Sequence, residues 1–550
     1  DTLHVRVRIE HPYVGDLALA LVGPGDRRAV LLAEARAGAV SLAGTYPVPG
    51  LAGSSTAGTW RLEVSDDDAA DTGFLVDWAL LVNRAVRQED LGGHGTHVAG
   101  SAAGDDAGPG ATSPGRYAGV APAADLIVVR ASRVMGGSYA VDDLMAALGW
   151  ATSYGRSEGA PFVVNWSLGG FYGARDGTTA MEQYIDGLFG PGRDGRVLVA
   201  SAGNEGDRKA HAGGVFGPSD DAVSLQIAED TKHEEIELWF RGPPDTRLGI
   251  IWPTGGATHC HTADLDLENQ RPDCGRMQLV PGDVRAILFM DRDERLLCYG
   301  ILEWGSRSSA NNLFRLGLRL AAQEGPVLPG HWQLRLEGAD GAWNAWSSVG
   351  EPFGSAGDNR MTIGSPGAAR QAITVGSHTT RTEWSDAGGE RHSPGGSVGA
   401  LSAYSARGPT RDGRRKPDLT APGEWIVSPA SSSAAWAERL RVDAGHGVMS
   451  GTSMAAPFVT GAVGLLLSQS GGASLDAAEV RALLASGCRA DGFTGTAPND
   501  DWGAGKLDAF GSASALRLTP APTASVTAEA TPTRTDPAVP TASATTRPPA

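Results

Sequence analysis

The chain has 550 residues, 41% of them hydrophobic and 20% charged, values that point to several globular domains and argue against a disordered chain. A formal net charge of −17 argues against nucleic acid or an anionic membrane as the main partner. Four cysteines are too few for a disulfide scaffold, and the longest apolar run, MAAPFVTGAVGLLL at 454–467, is too short to span a bilayer.

Residues 1–84 read as all-β. LHVRVRIEH alternates Leu3, Val5, Val7 and Ile9 with polar neighbours, the period of a half-buried strand. GTWRLEVSD repeats the pattern with Trp60, Leu62 and Val64, and FLVDWALLV with Phe74, Val76, Trp78 and Leu80. Gly- and Asp-rich turns between them suggest a small sandwich. The first residue is Asp1 and no signal peptide appears, so the chain is expected to be a processed or truncated piece.

Over 88–219 the texture alternates. DLIVVR (125–130), PFVVNWSL (161–168) and RVLVASAG (196–203) are apolar runs suited to buried parallel strands. VDDLMAALGWATSYG and TTAMEQYIDGLFG between them have helical texture, giving right-handed crossovers and a sheet covered on both faces. Residues 220–365 interrupt this with EEIELWF, LGIIWP, AILFMD, LFRLGLRL and HWQLRLEG, an inserted β-domain. The α/β pattern resumes over 366–516 with QAITVGSH and helices at 454–469 and near 475–486. Residues 517–550 are Pro, Thr and Ala without periodicity, a disordered linker or stalk.

Cys260, Cys274 and Cys298 fall in one region where a local bridge is expected. His259-Cys260-His261 with Cys274 has ligand-type side chains, but no second paired spacing supports zinc, and no metal is assigned.

Three stretches carry chemistry: GGHGTHVAGSAAG (92–104), VASAGNEG (199–206) and MSGTSMAAPFVTG (449–461). A serine nucleophile needs a neutral imidazole to take its proton. It gains from a helix N-terminus, and its oxyanion needs preset donors such as an Asn amide. Taken singly, each stretch is equally well a helix entry or a packed turn; together and in order they are a strong signal.

HGTHVAG, SAGNEG and GTSMAAP resemble the His, oxyanion-Asn and Ser motifs of the subtilisin-like serine proteases, or subtilases. GVAPAADLIVV, VNWSLGG, YSARGPTRDGRRKPDLTAPG and WGAGKLDA resemble further segments of that family, over roughly 88–512. The resemblance implies a subtilisin-like parallel sheet flanked by helices, with His94 as general base, Ser453 as nucleophile and Asn204 with the Ser453 N–H as oxyanion donors. It makes Ser167, Leu168 and Gly169 the segment that pairs with substrate backbone, and leaves His97 a packed helix residue. Glu205, beside that pocket, hints at tolerance for basic side chains.

The family's Asp ends a buried strand ahead of the His and is followed by Thr/Ser-Gly. Asp71-Thr72-Gly73 is the only such triplet ahead of His94, but SDDDAA precedes it and a strand follows. Residues 3–83 resemble instead the P domain of proprotein convertases, through VRIEHPYVGDLALALVGPGD, GTWRLEVSD and DTGFLVDWALLV, in which that triplet belongs to a turn. Asp90 reads as a loop residue near the site. One hypothesis joins these oddities: the P domain is inserted between the Asp strand and the His helix, and the Asp lies upstream of residue 1.

The expected function is a secreted serine endopeptidase acting on proteins or peptides, with cell-surface association through the tail. The alternative is a pseudoprotease or fragment acting as an extracellular binding module. No cofactor is required for catalysis; structural Ca²⁺ is an expectation from the acidic turn Asp66, Asp67, Asp68 and Asp71 and from both resemblances.

Overall fold

The computed structural model describes residues 2–518 apart from 11–16, 33–40, 49–58, 67–73, 84–89, 108–114, 132–138, 218–221, 244–245, 252, 254–258, 263–276, 279–283, 291–295, 306–307, 309, 323–324 and 471–474. Asp71-Thr72-Gly73, Asp67, Asp68, Cys274 and residues 519–550 of the tail lie outside the described residues.

Six strands open the chain: β1 (Thr2–Glu10), β2 (Leu17–Gly23), β3 (Arg27–Leu32), β4 (Ser41–Pro47), β5 (Arg61–Asp66) and β6 (Phe74–Asn83). They form two three-stranded antiparallel sheets, β4-β1-β6 and β3-β2-β5. The alternation in β1 works as expected: Leu3, Val5, Val7 and Ile9 are all buried, packing with Leu17, Leu19 and Leu21 of β2. Val76 does not follow its pattern and is 46% exposed. The β1–β6 register slips between Arg8 and Ile9, so that Arg8 faces Asp77 and Ile9 faces Leu75. Residue 76 is the extra residue of a bulge, and Leu75 beside it is exposed as well, so the alternation of β6 is lost where the ladder is disrupted. Val64, near the end of β5, is also exposed.

Next come α1 (His94–Ala103), α2 (Val141–Ser157), β7 (Phe162–Trp166), α3 (Ala180–Phe189) and β8 (Arg196–Ser201). A β-rich region follows: β9 (His211–Phe216), β10 (Ala222–Ile227), β11 (His233–Arg241), β12 (Arg247–Ile251), β13 (His259–Thr262), β14 (Met277–Gln278), β15 (Val284–Met290), β16 (Leu296–Trp304), β17 (Phe314–Ala321), β18 (Gly330–Glu337) and β19 (Asp340–Ser347). Its sheets run β13-β15-β16-β17-β11-β19-β9 and β10-β18-β12-β14 and share one core around Leu238, Phe240, Trp332 and Leu334. β9 pairs with β19, so the strands of this region run from His211 to Ser347. Cys260 and Cys298 both face Phe289 from opposite sides of β15. Their backbones stand two strand spacings apart, about 10 Å, wider than a disulfide spans.

The α/β part resumes with β20 (Ile373–Thr379), β21 (Trp384–Ser385), β22 (Arg391–His392), β23 (Leu419–Glu424), β24 (Ile426–Pro429), β25 (His446–Met449), α4 (Thr452–Gln469), α5 (Ala477–Gly487) and α6 (Ala509–Leu518). Its sheet, β23-β20-β8-β7, is parallel throughout. Alternation in β8 sorts its two covered faces. Val197 and Val199 pack with Val459, Val463 and Leu466 of α4 and with α5. Leu198 and Ala200 pack with Leu148 of α2 and Ile185 and Phe189 of α3.

One expected strand is absent. Residues 125–130 have no strand structure, and Leu126, Ile127, Val128 and Val129 are 54%, 47%, 80% and 37% exposed. Parallel strands are built for burial on both faces and both edges. Here β7 is an edge of the sheet and is only half-buried over Phe162–Asn165. Val120, just before the run, packs on the α4 side, and Ala131, just after it, packs with the Trp166 cluster on the other side. The run is thus anchored near the sheet at both ends but pairs with no described strand.

Candidate active site

The centre is built at the N-terminus of α4. Gly451 (φ 153°) lies just before it, with Ser453 as the second helical residue. The N–H of a second helical residue has no partner within the helix. Further along, Pro457 lacks the N–H that would bond the carbonyl four residues back. That carbonyl belongs to Ser453, and Ser167 Oγ donates to it at 2.7 Å. Asn165 Nδ2 in turn donates to Ser167 Oγ (3.0 Å), and Thr460 Oγ1 donates to Asn165 Oδ1 (2.8 Å). The helix start is thereby tied to the segment leaving β7.

Asn204 follows β8 and reaches the same point. Its Oδ1 accepts from Thr452 N (2.9 Å) and Thr452 Oγ1 (3.0 Å). This fixes the amide flip, leaving Nδ2 as the outward donor. A Cβ built on Gly451 would stand 3.6 Å from Asn204 Nδ2, 3.7 Å from Asn204 Oδ1 and 3.7 Å from Ser453 N, so the carboxamide and that N–H lie close to one another beside Gly451. Thr452 and Pro457 were not singled out in the sequence; their signal was their place in GTSMAAP.

His94 opens α1. Asp90 accepts from Gly93 N at Oδ1 (2.9 Å) and from Thr96 N at Oδ2 (2.7 Å), so its carboxylate serves the free amides of the helix start. Val98, one turn beyond His94, packs against Met454, the neighbour of Ser453. Close approach of α1 to β24 requires Gly100, where a Cβ would come within 2.3 Å of Pro429. Burial lowers the His94 pKa below 6.5, and the nearby Asp90 charge opposes this. Among the described residues no carboxylate bonds the His94 ring, and the Ser453 hydroxyl donates to Ser167 O at 3.3 Å rather than to His94.

His97 lies on the buried side of α1, its Nε2 3.0 Å from Ile426 O. Burial takes its pKa down to about 4, so it is a neutral donor holding α1 to β24. Glu205 Oε2 accepts from Asn204 N at 2.7 Å and folds back over Gly203. Burial raises the Glu205 pKa, against the Asn204 N–H and the charges of Arg208 and Arg175. Leu168 packs with the Trp166 cluster, and Gly170 exchanges two backbone bonds of 3.0 Å with Ser365. No metal ligand is among these residues; elsewhere Asp386, Glu390 and His392 come together at the β21–β22 hairpin.

A hydroxyl at a helix N-terminus, an imidazole at the start of the helix packed beside it and a carboxamide held by hydrogen bonds thus lie on one parallel α/β scaffold. The chain belongs to the subtilase family, whose model matches residues 41–228 and 348–505 and leaves out most of the β-rich region. Serine protease AprX of Bacillus subtilis is 35% identical over 173 residues, 30% of this chain and 35% of that protein. Subtilisin DY of Bacillus licheniformis is 35% identical over 133 residues, 24% of this chain and 41% of that protein. The chain thus spans well under half the length of these relatives. The CspB protease structure from Clostridium perfringens shares the fold at a TM-score of 0.57 and 23% identity, over 78% of this chain and 82% of that one.

Proposed function

We propose that the chain is a serine endopeptidase of this family, acting on protein or peptide substrates outside the cell. The observation that carries this reading is the Asn204 carboxamide, held through Oδ1 by Thr452 close to Ser453 N at the start of α4. In the reaction Ser453 Oγ adds to the scissile carbonyl while His94 takes its proton. The two donors receive the oxyanion, and His94 returns the proton to the leaving amine. Water, deprotonated by His94, then releases the acyl group from Ser453. Ser167, Leu168 and Gly169 pair with the extended substrate backbone. Labelling by a serine-directed fluorophosphonate tests this: the parent reacts and Ser453→Ala does not, whereas no labelling of folded parent overturns it.

The second reading, a pseudoprotease acting as a binding module, is favoured by one observation, the lack of a carboxylate on the His94 ring among the described residues. In subtilisin, loss of the orienting Asp alone lowers kcat by about 3 × 10⁴, against about 2 × 10⁶ for the Ser or His. The open edge of β7 and the exposed run 125–130 support the upstream-strand hypothesis, in which an apolar strand ending in Asp fills that place. The two N-terminal sheets are read as a P domain inserted ahead of α1, and the β-rich region as an inserted domain. Structural Ca²⁺ near Asp66 and anchorage through 517–550 belong to the same proposal.

A further inference from the structure

The segment that would pair with substrate, Ser167, Leu168 and Gly169, leads through Gly170 into residues 171–178, and these are gripped from two sides. Arg175 is their centre: it is fully buried and adopts φ 54°, a left-handed conformation few non-glycine residues take. Its guanidinium lies 4.1 Å over the Phe171 ring and 4.8 Å over Trp346 of β19. Nη1 donates to Gly173 O at 2.5 Å and stands 3.8 Å from Glu237 Oε2. That same oxygen accepts from Gly173 N at 2.6 Å, while Glu237 Oε1 accepts from Arg315 Nε at 2.6 Å. Glu237 is on β11 and Arg315 on β17, both in the β-rich region.

A second contact repeats the arrangement. Asn311 Nδ2 donates to Asp176 Oδ2 (3.1 Å) and Thr178 Oγ1 (3.0 Å). From the α/β side, Arg411 pairs with Asp176 and donates through Nε to Ala174 O at 3.1 Å. The acid within ion-pair distance of Arg175 therefore comes from the β-rich region, and a buried guanidinium without its acid is strongly disfavoured. The β-rich region and the α/β scaffold thus share the hold on this loop, and the β-rich region supplies the acid nearest the Arg175 guanidinium.

We propose that the β-rich region is a clamp for substrate engagement: through Glu237, Trp346 and Asn311 it holds Arg175 and the 171–178 loop, and so fixes the substrate-pairing segment Ser167, Leu168 and Gly169. Glu237, Arg175 and Asn311 are positioning residues, acting through the backbone of that segment. The inference rests on the protease reading for the meaning of substrate, but the clamp itself does not depend on it.

The test uses the full chain with Glu237→Gln, the charge-retaining Glu237→Asp and the milder Asn311→Ala, which leaves no buried charge unpaired. Three readouts are compared: labelling of Ser453 by a small alkyl fluorophosphonate, labelling by a peptidyl diphenyl phosphonate, and hydrogen exchange over 167–178. The expected result is a small-probe rate within about twofold of the parent and a peptidyl-probe rate about tenfold lower or more in Glu237→Gln, because misplacing a binding segment penalises the longer substrate. Glu237→Asp recovers part of that loss, and Asn311→Ala shows a smaller loss in the same direction. Exchange at Gly169, Gly170 and Gly173 becomes faster. Equal effects on both probes, or unchanged exchange, overturn the clamp. If Glu237→Gln does not fold, Asn311→Ala decides by the same criteria. If the parent labels with neither probe, the protease reading fails, and exchange alone decides the clamp.

Discussion

Ser167 Oγ donates to the carbonyl oxygen of Ser453 at 2.7 Å, across 286 residues of chain. The bond exists because Pro457 offers no N–H to that carbonyl. A proline inside a helix is ordinarily a defect; here it frees the carbonyl of the Ser453 residue to be held by the neighbouring strand exit.

A double-mutant cycle follows from this. Ser167→Ala leaves a shielded carbonyl unpaired and is expected to cost about 1–2 kcal/mol in denaturant unfolding. In a Pro457→Ala background the new N–H fills the same carbonyl, so the cost of Ser167→Ala shrinks by about 0.5–1.5 kcal/mol. Strict additivity of the two substitutions would show that the proline and the serine do not share this carbonyl.

Asn204→Asp separates the two ends of the amide. The carboxylate still accepts from Thr452 N, so the fold is retained, but the Nδ2 donor is gone. Fluorophosphonate labelling of Ser453 is expected to slow by about 10²–10³-fold, the usual effect of removing one oxyanion donor. A rate within a few-fold of the parent would remove Asn204 from the reaction.

Much of this centre was legible in the sequence because it is made by contiguous letters. A buried parallel strand such as RVLVASAG announces itself by its apolar run, and β1 by its alternation, since burial is the dominant force on both. Val76 misled because a bulge is a register event between two strands, invisible in either alone. DLIVVR misled because its composition describes a burial that needs a neighbour, and none of the described strands takes that place. Arg175 and Glu237 carried no local signal at all; their meaning arises from a contact between regions 62 positions apart.

Acid sensitivity is expected from His97. Its folded pKa of about 4 lies below the ordinary 6.5 because of burial. The unfolded chain therefore binds the proton first, and stability is fully present above about pH 6.5 and lost as pH falls toward 4. Between those limits the loss amounts to roughly 2–3 kcal/mol. His97→Gln keeps an N–H donor for Ile426 O but cannot titrate, so urea unfolding at pH 7 and at pH 4.5 should show a smaller fall for the variant. Parallel profiles for the two proteins would clear His97 of this role.

His94 gives a separate pH prediction, because the base must be neutral to accept the Ser453 proton. Burial lowers its pKa from 6.5 and the Asp90 charge works against that. Asp90→Asn removes the opposing charge, so the acid limb of the labelling rate moves to lower pH. An acid limb that stays put, or moves up, would mean that Asp90 does not act on this imidazole.

The place of β7 at the edge of the sheet, among the described residues, makes the last prediction, and it separates the protease from the pseudoprotease. Four consecutive apolar side chains, Leu126 to Val129, stand exposed, and the edge strand β7 is only half-buried over Phe162–Asn165. Exposed runs of this kind are a liability unless something covers them. If an apolar strand ending in Asp-Thr/Ser-Gly is encoded ahead of residue 1, a protein containing it should show slowed amide exchange at Val163 and Asn165. Its Ser453 should be labelled faster, by up to about 10⁴-fold, as the new carboxylate orients His94. In the present chain Val128→Asp is expected to change stability by less than about 0.5 kcal/mol, as for other surface substitutions. In the longer protein the same substitution would bury a charge in the sheet and cost several kcal/mol. Equal costs in the two proteins, or an upstream sequence with no such strand, would leave His94 without its acid and favour the binding module.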